Sequence, residues 1–116
     1  MSNNTAEKDF LIQYQRELQS IMNEIKSRSK KKIEEVDKKL IELRFKITIT
    51  RLALFQSNHE KNKISVELES QLNEEKEEED RLAKDKQALE DEPPSKEYLE
   101  AYYLHQAVGV RLNQIN

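Results

Sequence analysis

The sequence predicts an all-α chain: a long coiled coil or helical hairpin, with a short C-terminal helix after a Pro-Pro break. Three observations point there. Charged residues make up 37% of the 116 residues and apolar ones only 35%, against roughly 25% and 45–50% in an ordinary globular domain. Gly occurs once and Pro twice. That is too few turn formers for a sandwich, a barrel or a Gly-looped nucleotide fold. Apolar residues also recur every seven positions over a long stretch, the signature of a coiled-coil seam.

Residues 1–8 are polar and are expected to be disordered. Thr5 or Asp9 is a candidate cap for a first helix, and residues 9–92 read as coiled coil. Leu11, Tyr14, Leu18, Ile21 and Ile25 step by three and four, so they share a stripe. The stripe pauses at Ser27-Arg28-Ser29 and resumes at Ile33. Met22 and Ile25 repeat as Ile33 and Val36 at an eleven-residue offset, a phase change that locally unwinds a coil without ending it.

From Ile33 one heptad frame holds. Its a positions are Ile33, Leu40, Ile47, Leu54, Lys61, Leu68, Glu75, Leu82 and Leu89. Seven of these nine are apolar, where the overall composition would give about three. At d, Val36, Leu43 and Ile64 fit, while Thr50, Ser57, Gln71, Glu78 and Asp85 do not. A chain this polar has little of its own to cover such a seam. The apolar a and d residues, Ile33 through Leu89, are therefore expected to face another chain.

Ile41, Phe45, Ile49, Leu52 and Phe55 add a further apolar set around residues 40–55. A helix that is apolar on most sides is buried on more than one side, so these five predict a multi-helix junction. Residues 45–50, FKITIT, also alternate and are β-branched, as in a strand. No turn former borders them, which favours helix. Gln56 to Asn62 is polar and reads as a loop or as a weak stretch of helix. As a loop, it would make residues 9–56 and 63–91 an antiparallel hairpin.

Charge is segregated. Residues 26–39 carry seven basic and three acidic groups, and residues 67–92 carry twelve acidic and four basic. In a parallel homodimer Glu75 and Glu78 would face their own copies, which is costly. A heteromeric coil, or a turn that brings the basic half back, avoids this. The acidic run also reads as a solvated helix face.

Pro93-Pro94 ends the long helix, because neither residue donates and the residue before a proline avoids the helical region. Ser95 suits an N-cap, with Glu97 in the first turn. Residues 93–116 then read as a short helix and the start of a strand. Leu99, Tyr102 and Tyr103, with Tyr98 beside them at helical spacing, are expected to pack that helix against a partner or a further domain, and Gly109 to cap it. Val110, Leu112 and Ile115 would open the strand.

No catalytic, cofactor or metal motif is present. The sequence lacks Cys and has two distant histidines, His59 and His105, so no zinc spacing exists. The acidic pairs at 74–80 lack the desolvated setting that shifts a carboxyl group. One Gly excludes a P-loop or a dinucleotide fingerprint. Lys30-Lys31-Lys32 is a basic cluster of the kind long helices often carry, and the net charge of -3 argues against a dedicated nucleic-acid binder. The longest apolar run, Leu52 to Phe55, is far short of a membrane span. An intracellular protein without small-molecule ligand is expected.

Residues Tyr103 to Ile115, YLHQAVGVRLNQI, resemble the junction in coiled-coil subunits of the outer kinetochore. There a coil ends in a short helix, a Leu-Gly-Leu-like step and the first strand of a small RWD-type domain. Tyr103-Leu104 stand where that family has its apolar pair. Val108-Gly109-Val110 match the step, and Leu112 and Ile115 match the strand's inward residues. The likeness is to the small subunits of the four-chain microtubule-bridging complex, or to monopolin-like subunits, without their globular domain. It implies a heteromeric scaffold of coiled-coil chains, in the nucleus at kinetochores. The alternative is a prefoldin-like holdase, whose subunits join two helices through β-hairpins; residues 45–50 would supply strand.

Overall fold

The computed structural model describes residues 2–57 and 63–116. They form α1 (Ser2–Ser57), α2 (Lys63–Glu90) and α3 (Lys96–Ile115), with no strand among the described residues. The all-α expectation holds, including the hairpin and the helix after Pro-Pro. Contacts divide the chain into two units: Met1–Lys30 with Pro93–Asn116, and Lys31–Glu92.

Nothing in residues 2–57 breaks a helix, since the sequence has its only Gly at 109 and its prolines at 93 and 94. The phase change at residues 27–29 leaves α1 continuous. FKITIT is helical as well. Its β-branched residues are accommodated because Ile47 and Thr50 lie three apart on the buried face, while the Thr48 hydroxyl donates to the Arg44 carbonyl at 3.1 Å. That back-bond satisfies a side chain that would otherwise compete with the helix. The turn expected within Gln56 to Asn62 lies, from Asn58 to Asn62 and including His59, outside the described residues; α1 continues through Ser57.

In the unit of residues 31–92, α2 runs antiparallel to α1. The cross-helix contacts step down α1 as they step up α2. Ser65 Oγ donates to the Ser57 carbonyl at 3.1 Å, Gln71 Nε2 to Thr50 Oγ1 at 3.4 Å, Arg44 Nε to Glu79 at 3.3 Å, and Lys86 Nζ to Asp37 at 2.7 Å. This register sets Ile33 level with Leu89, Leu40 with Leu82, Thr50 with Leu72 and Leu54 with Leu68. The two ion pairs across the hairpin have opposite polarity, Arg44 on α1 with Glu79 on α2 and Asp37 on α1 with Lys86 on α2. The Asp37 carboxylate holds the Lys86 ammonium above its usual range, chiefly through the direct hydrogen bond.

In the unit of residues 1–30 and 93–116, α3 runs antiparallel to the first part of α1. Leu11, Leu18, Met22, Ala101 and Val108 form its core, with Tyr14, Tyr98, Leu112 and Ile115 packed against it. At one end Arg111 grips Glu7 with two hydrogen bonds, Nε to Oε1 at 2.6 Å and Nη2 to Oε2 at 3.2 Å. That fork holds the Glu7 carboxyl below the usual carboxylate range. At the other end Lys26 Nζ sits 5.6 Å from the Tyr98 ring centre, a cation–π contact. α3 begins as expected: Ser95 is extended and its hydroxyl accepts from the Tyr98 amide at 3.1 Å, with Glu97 in the first turn.

Three expectations are corrected. Residues 2–8 are helical rather than disordered, and Glu7 among them pairs with Arg111. No strand opens at Val110; α3 runs on to Ile115. The deciding spacing is Ala101, Val108, Leu112 and Ile115, which share one helical face. Gly109 is therefore not a cap but an interior helical residue, and a Cβ there would meet nothing within 4 Å. Gly costs about 1 kcal/mol relative to Ala inside a helix. Gly109→Ala should thus raise stability by roughly 0.5–1 kcal/mol, read as a higher thermal midpoint. A lowered midpoint would point back to a left-handed cap.

Candidate functional site

The residues expected to meet a partner chain divide into two groups. Leu40 and Ile47 are 2% and 4% exposed, and Leu72 is buried with them. Ile33, Val36, Leu43 and Leu54 on α1 are half-buried, as are Leu68, Leu82 and Leu89 on α2. The register above shows why. These side chains face each other across the α1–α2 hairpin, so the chain covers its own seam. Within the chain α2 lies against this seam, and Ile33, Val36, Leu43, Leu54, Leu68, Leu82 and Leu89 stay half-exposed along it. Folding back doubles the apolar residues available per turn, which a reading of one helix alone does not count. Ile64 is the exception, since it is exposed near the start of α2.

The seam is imperfect where Ile47 stands level with Glu75. Oε1 of Glu75 is buried without a hydrogen-bond partner among the described residues. An open groove of about 540 Å³ lies beside it, lined by Phe45, Lys46, Ile49, Thr50, Gln71 and Glu75. A buried, unpaired polar atom costs about 1–3 kcal/mol. Glu75→Leu should accordingly stabilise the chain by about 1–3 kcal/mol, seen as a higher urea midpoint. An unchanged or lower midpoint would mean that this carboxylate is already satisfied.

The second group is the expected multi-helix junction. All five of its residues are helical and exposed: Ile41, Phe45 at 67%, Ile49 at 65%, Leu52 and Phe55. They lie off the face of Leu40 and Ile47, with Phe45 and Ile49 bordering the groove beside Glu75. The described chain thus leaves open the second face that the sequence marks as apolar.

The C-terminal residues fall on two faces of α3. Leu99, Tyr102 and Tyr103 are exposed, and Tyr98 packs in their place. The Tyr102 and Tyr103 rings meet edge to face at 5.5 Å, and Gln106 donates to the Tyr102 hydroxyl at 3.0 Å. They miss the core because Ala101 and Val108 set the phase of α3, and an alanine carries little signal in a hydrophobic pattern.

Among the described residues no group of three or more acidic or His side chains is placed to hold a metal ion. No described helix is long and apolar enough to cross a membrane. No family model, curated protein or solved structure matches the chain.

Proposed function

We propose that this chain is a non-enzymatic structural subunit, whose helices present docking faces to partner chains in a heteromeric, coiled-coil-type assembly. One observation carries the reading: α1 bears a second apolar stripe, Ile41, Phe45, Ile49 and Leu52, exposed off the seam that α2 covers. Large apolar groups aligned on one helix face mark an interaction site. A kinetochore-type assembly is one version of this reading. Its support is now the coiled-coil character of the chain, because the residues matched to the opening strand of a globular domain are helical. The holdase alternative loses its specific support, since residues 45–50 are helix.

The test is a mass measurement in solution on the chain alone and on the chain purified from its native source. A stoichiometric complex with other chains from the native source is expected. A native-source particle with the mass of this chain alone would contradict the reading.

A further inference from the structure

We propose, resting on the scaffold reading, that the outer face of α1 from Ile41 to Leu52 docks one amphipathic helix of a different chain, with acidic residues along its edges. Ile41, Phe45, Thr48 and Leu52 step by four, three and four, the spacing of a coiled-coil seam, and Ile49 widens it. The other seam, with Leu40, Ile47 and Thr50, is buried. This stretch of α1 is a helix with two seams, one of them filled by α2.

Charge selects the occupant. Residues 38–55 carry Lys38, Lys39, Arg44, Lys46 and Arg51, with Glu42 the lone acid. Arg44 is engaged by Glu79. Among the described residues, Lys38, Lys46 and Arg51 form no ion pair. Lys38 continues the line of the stripe, while Lys46 and Arg51 flank it; such flanking cations favour a helix with carboxylates at its facing edge positions.

A second copy does not meet that requirement. Stripe against stripe would set these cations against their own copies, which is costly. The α2 helix has the right charge, with eight acidic groups and one basic group over residues 67–80. Its apolar residues in that span are only Leu68 and Leu72, however, and both are spent on the hairpin seam. The α3 helix balances Glu97 and Glu100 with Lys96 and Arg111, so it offers no acidic edge.

A basic amphipathic helix also suits an anionic membrane surface. Here the carboxylates of α2 oppose that. A flat anionic surface would meet their field, whereas a single docked helix covers only the outer side of α1.

The experiment uses the full chain and two synthetic peptides of about three heptads. Both have Leu at a and d; one carries Glu at the edge positions and the other Lys. Binding is read by fluorescence anisotropy, and helix content by circular dichroism. The Glu-edged peptide is expected to bind more tightly by about tenfold or more. Phe45→Asp or Leu52→Asp should weaken it about tenfold with helix content unchanged, because both sites are exposed. Lys46→Glu with Arg51→Glu should transfer the preference to the Lys-edged peptide. Equal binding of the two peptides, binding of neither, or indifference to Phe45→Asp would overturn the proposal. So would stripe-dependent self-association, or preferential binding to phosphatidylserine vesicles. If the peptides fail while the native-source complex persists, this face is wrong and the scaffold reading stands. A lone chain from the native source would remove both.

Discussion

Ile47→Asp should unfold the α1–α2 hairpin, whereas Ile49→Asp, two residues away, should leave it folded. Ile47 is buried in the seam and Ile49 is largely exposed. The first substitution removes roughly 1.5–3 kcal/mol of apolar burial and places a carboxylate in a seam where Glu75 Oε1 already lacks a partner. Desolvating the new carboxylate, level with the like-charged Glu75, adds to the cost. A total above about 4 kcal/mol is expected, close to the whole stability of many small domains. Ile49→Asp should change stability by about 0.5 kcal/mol or less. Urea unfolding followed by circular dichroism separates the two. Equal losses, or a greater loss for Ile49→Asp, would mean that the phase of α1 differs from the one described.

The second large effect is expected at Leu18. It is 3% exposed and packs with Met22, Ala101 and Val108. Leu18→Ala removes three carbons from a core built by only two helices, with a cost of about 2–5 kcal/mol. So thin a core can collapse around the gap, which argues for the lower part of that range. Ile21→Ala is the comparison, because Ile21 shares the apolar repeat but is exposed. Its loss should stay below about 1 kcal/mol. Amide exchange along α3 provides the local readout. Leu18→Ala should speed exchange around Ala101 to Val108, and Ile21→Ala should not. Similar exchange in both variants would argue against the pairing of α3 with this part of α1.

These contrasts mark where sequence reasoning stops. The helices, the Pro-Pro break and the Ser95 cap were legible because each rests on local chemistry: absent breakers, a missing amide and a hydroxyl beside orphan amides. The heptad frame was legible too, and Leu40 and Ile47 are buried as it requires. Periodicity reports which face of a helix is covered, not by what. The covering helix is set by contacts such as Asp37 with Lys86 and Arg44 with Glu79, between residues far apart in the sequence. The segregation of charge does not foretell these contacts, because Asp37 lies in the basic segment and Lys86 in the acidic one. Near the N-terminus, Leu11, Tyr14 and Leu18 face the core as their spacing predicts, but Met22 rather than Ile21 continues the stripe inward. Adjacent apolar residues leave the phase ambiguous by about 100°, the rotation per residue of a helix. At the C-terminus, Val110 and Gly109 imitated a strand and a cap, while Ala101, the residue that sets the phase, is nearly silent in a hydrophobic pattern.

Because the sequence contains no Cys, spin labels can be placed cleanly at Glu42→Cys and Asp80→Cys, both exposed positions. Helices pack about 8–10 Å apart, so the antiparallel register predicts a label separation of about 20 Å or less. That separation should persist when the labelled chain is diluted with unlabelled chain. A separation near 57 Å, the length of an unbroken helix between the two positions at about 1.5 Å per residue, would contradict the fold-back. A short separation that vanishes on dilution would show that a neighbouring molecule, and not the chain's own α2, covers the seam.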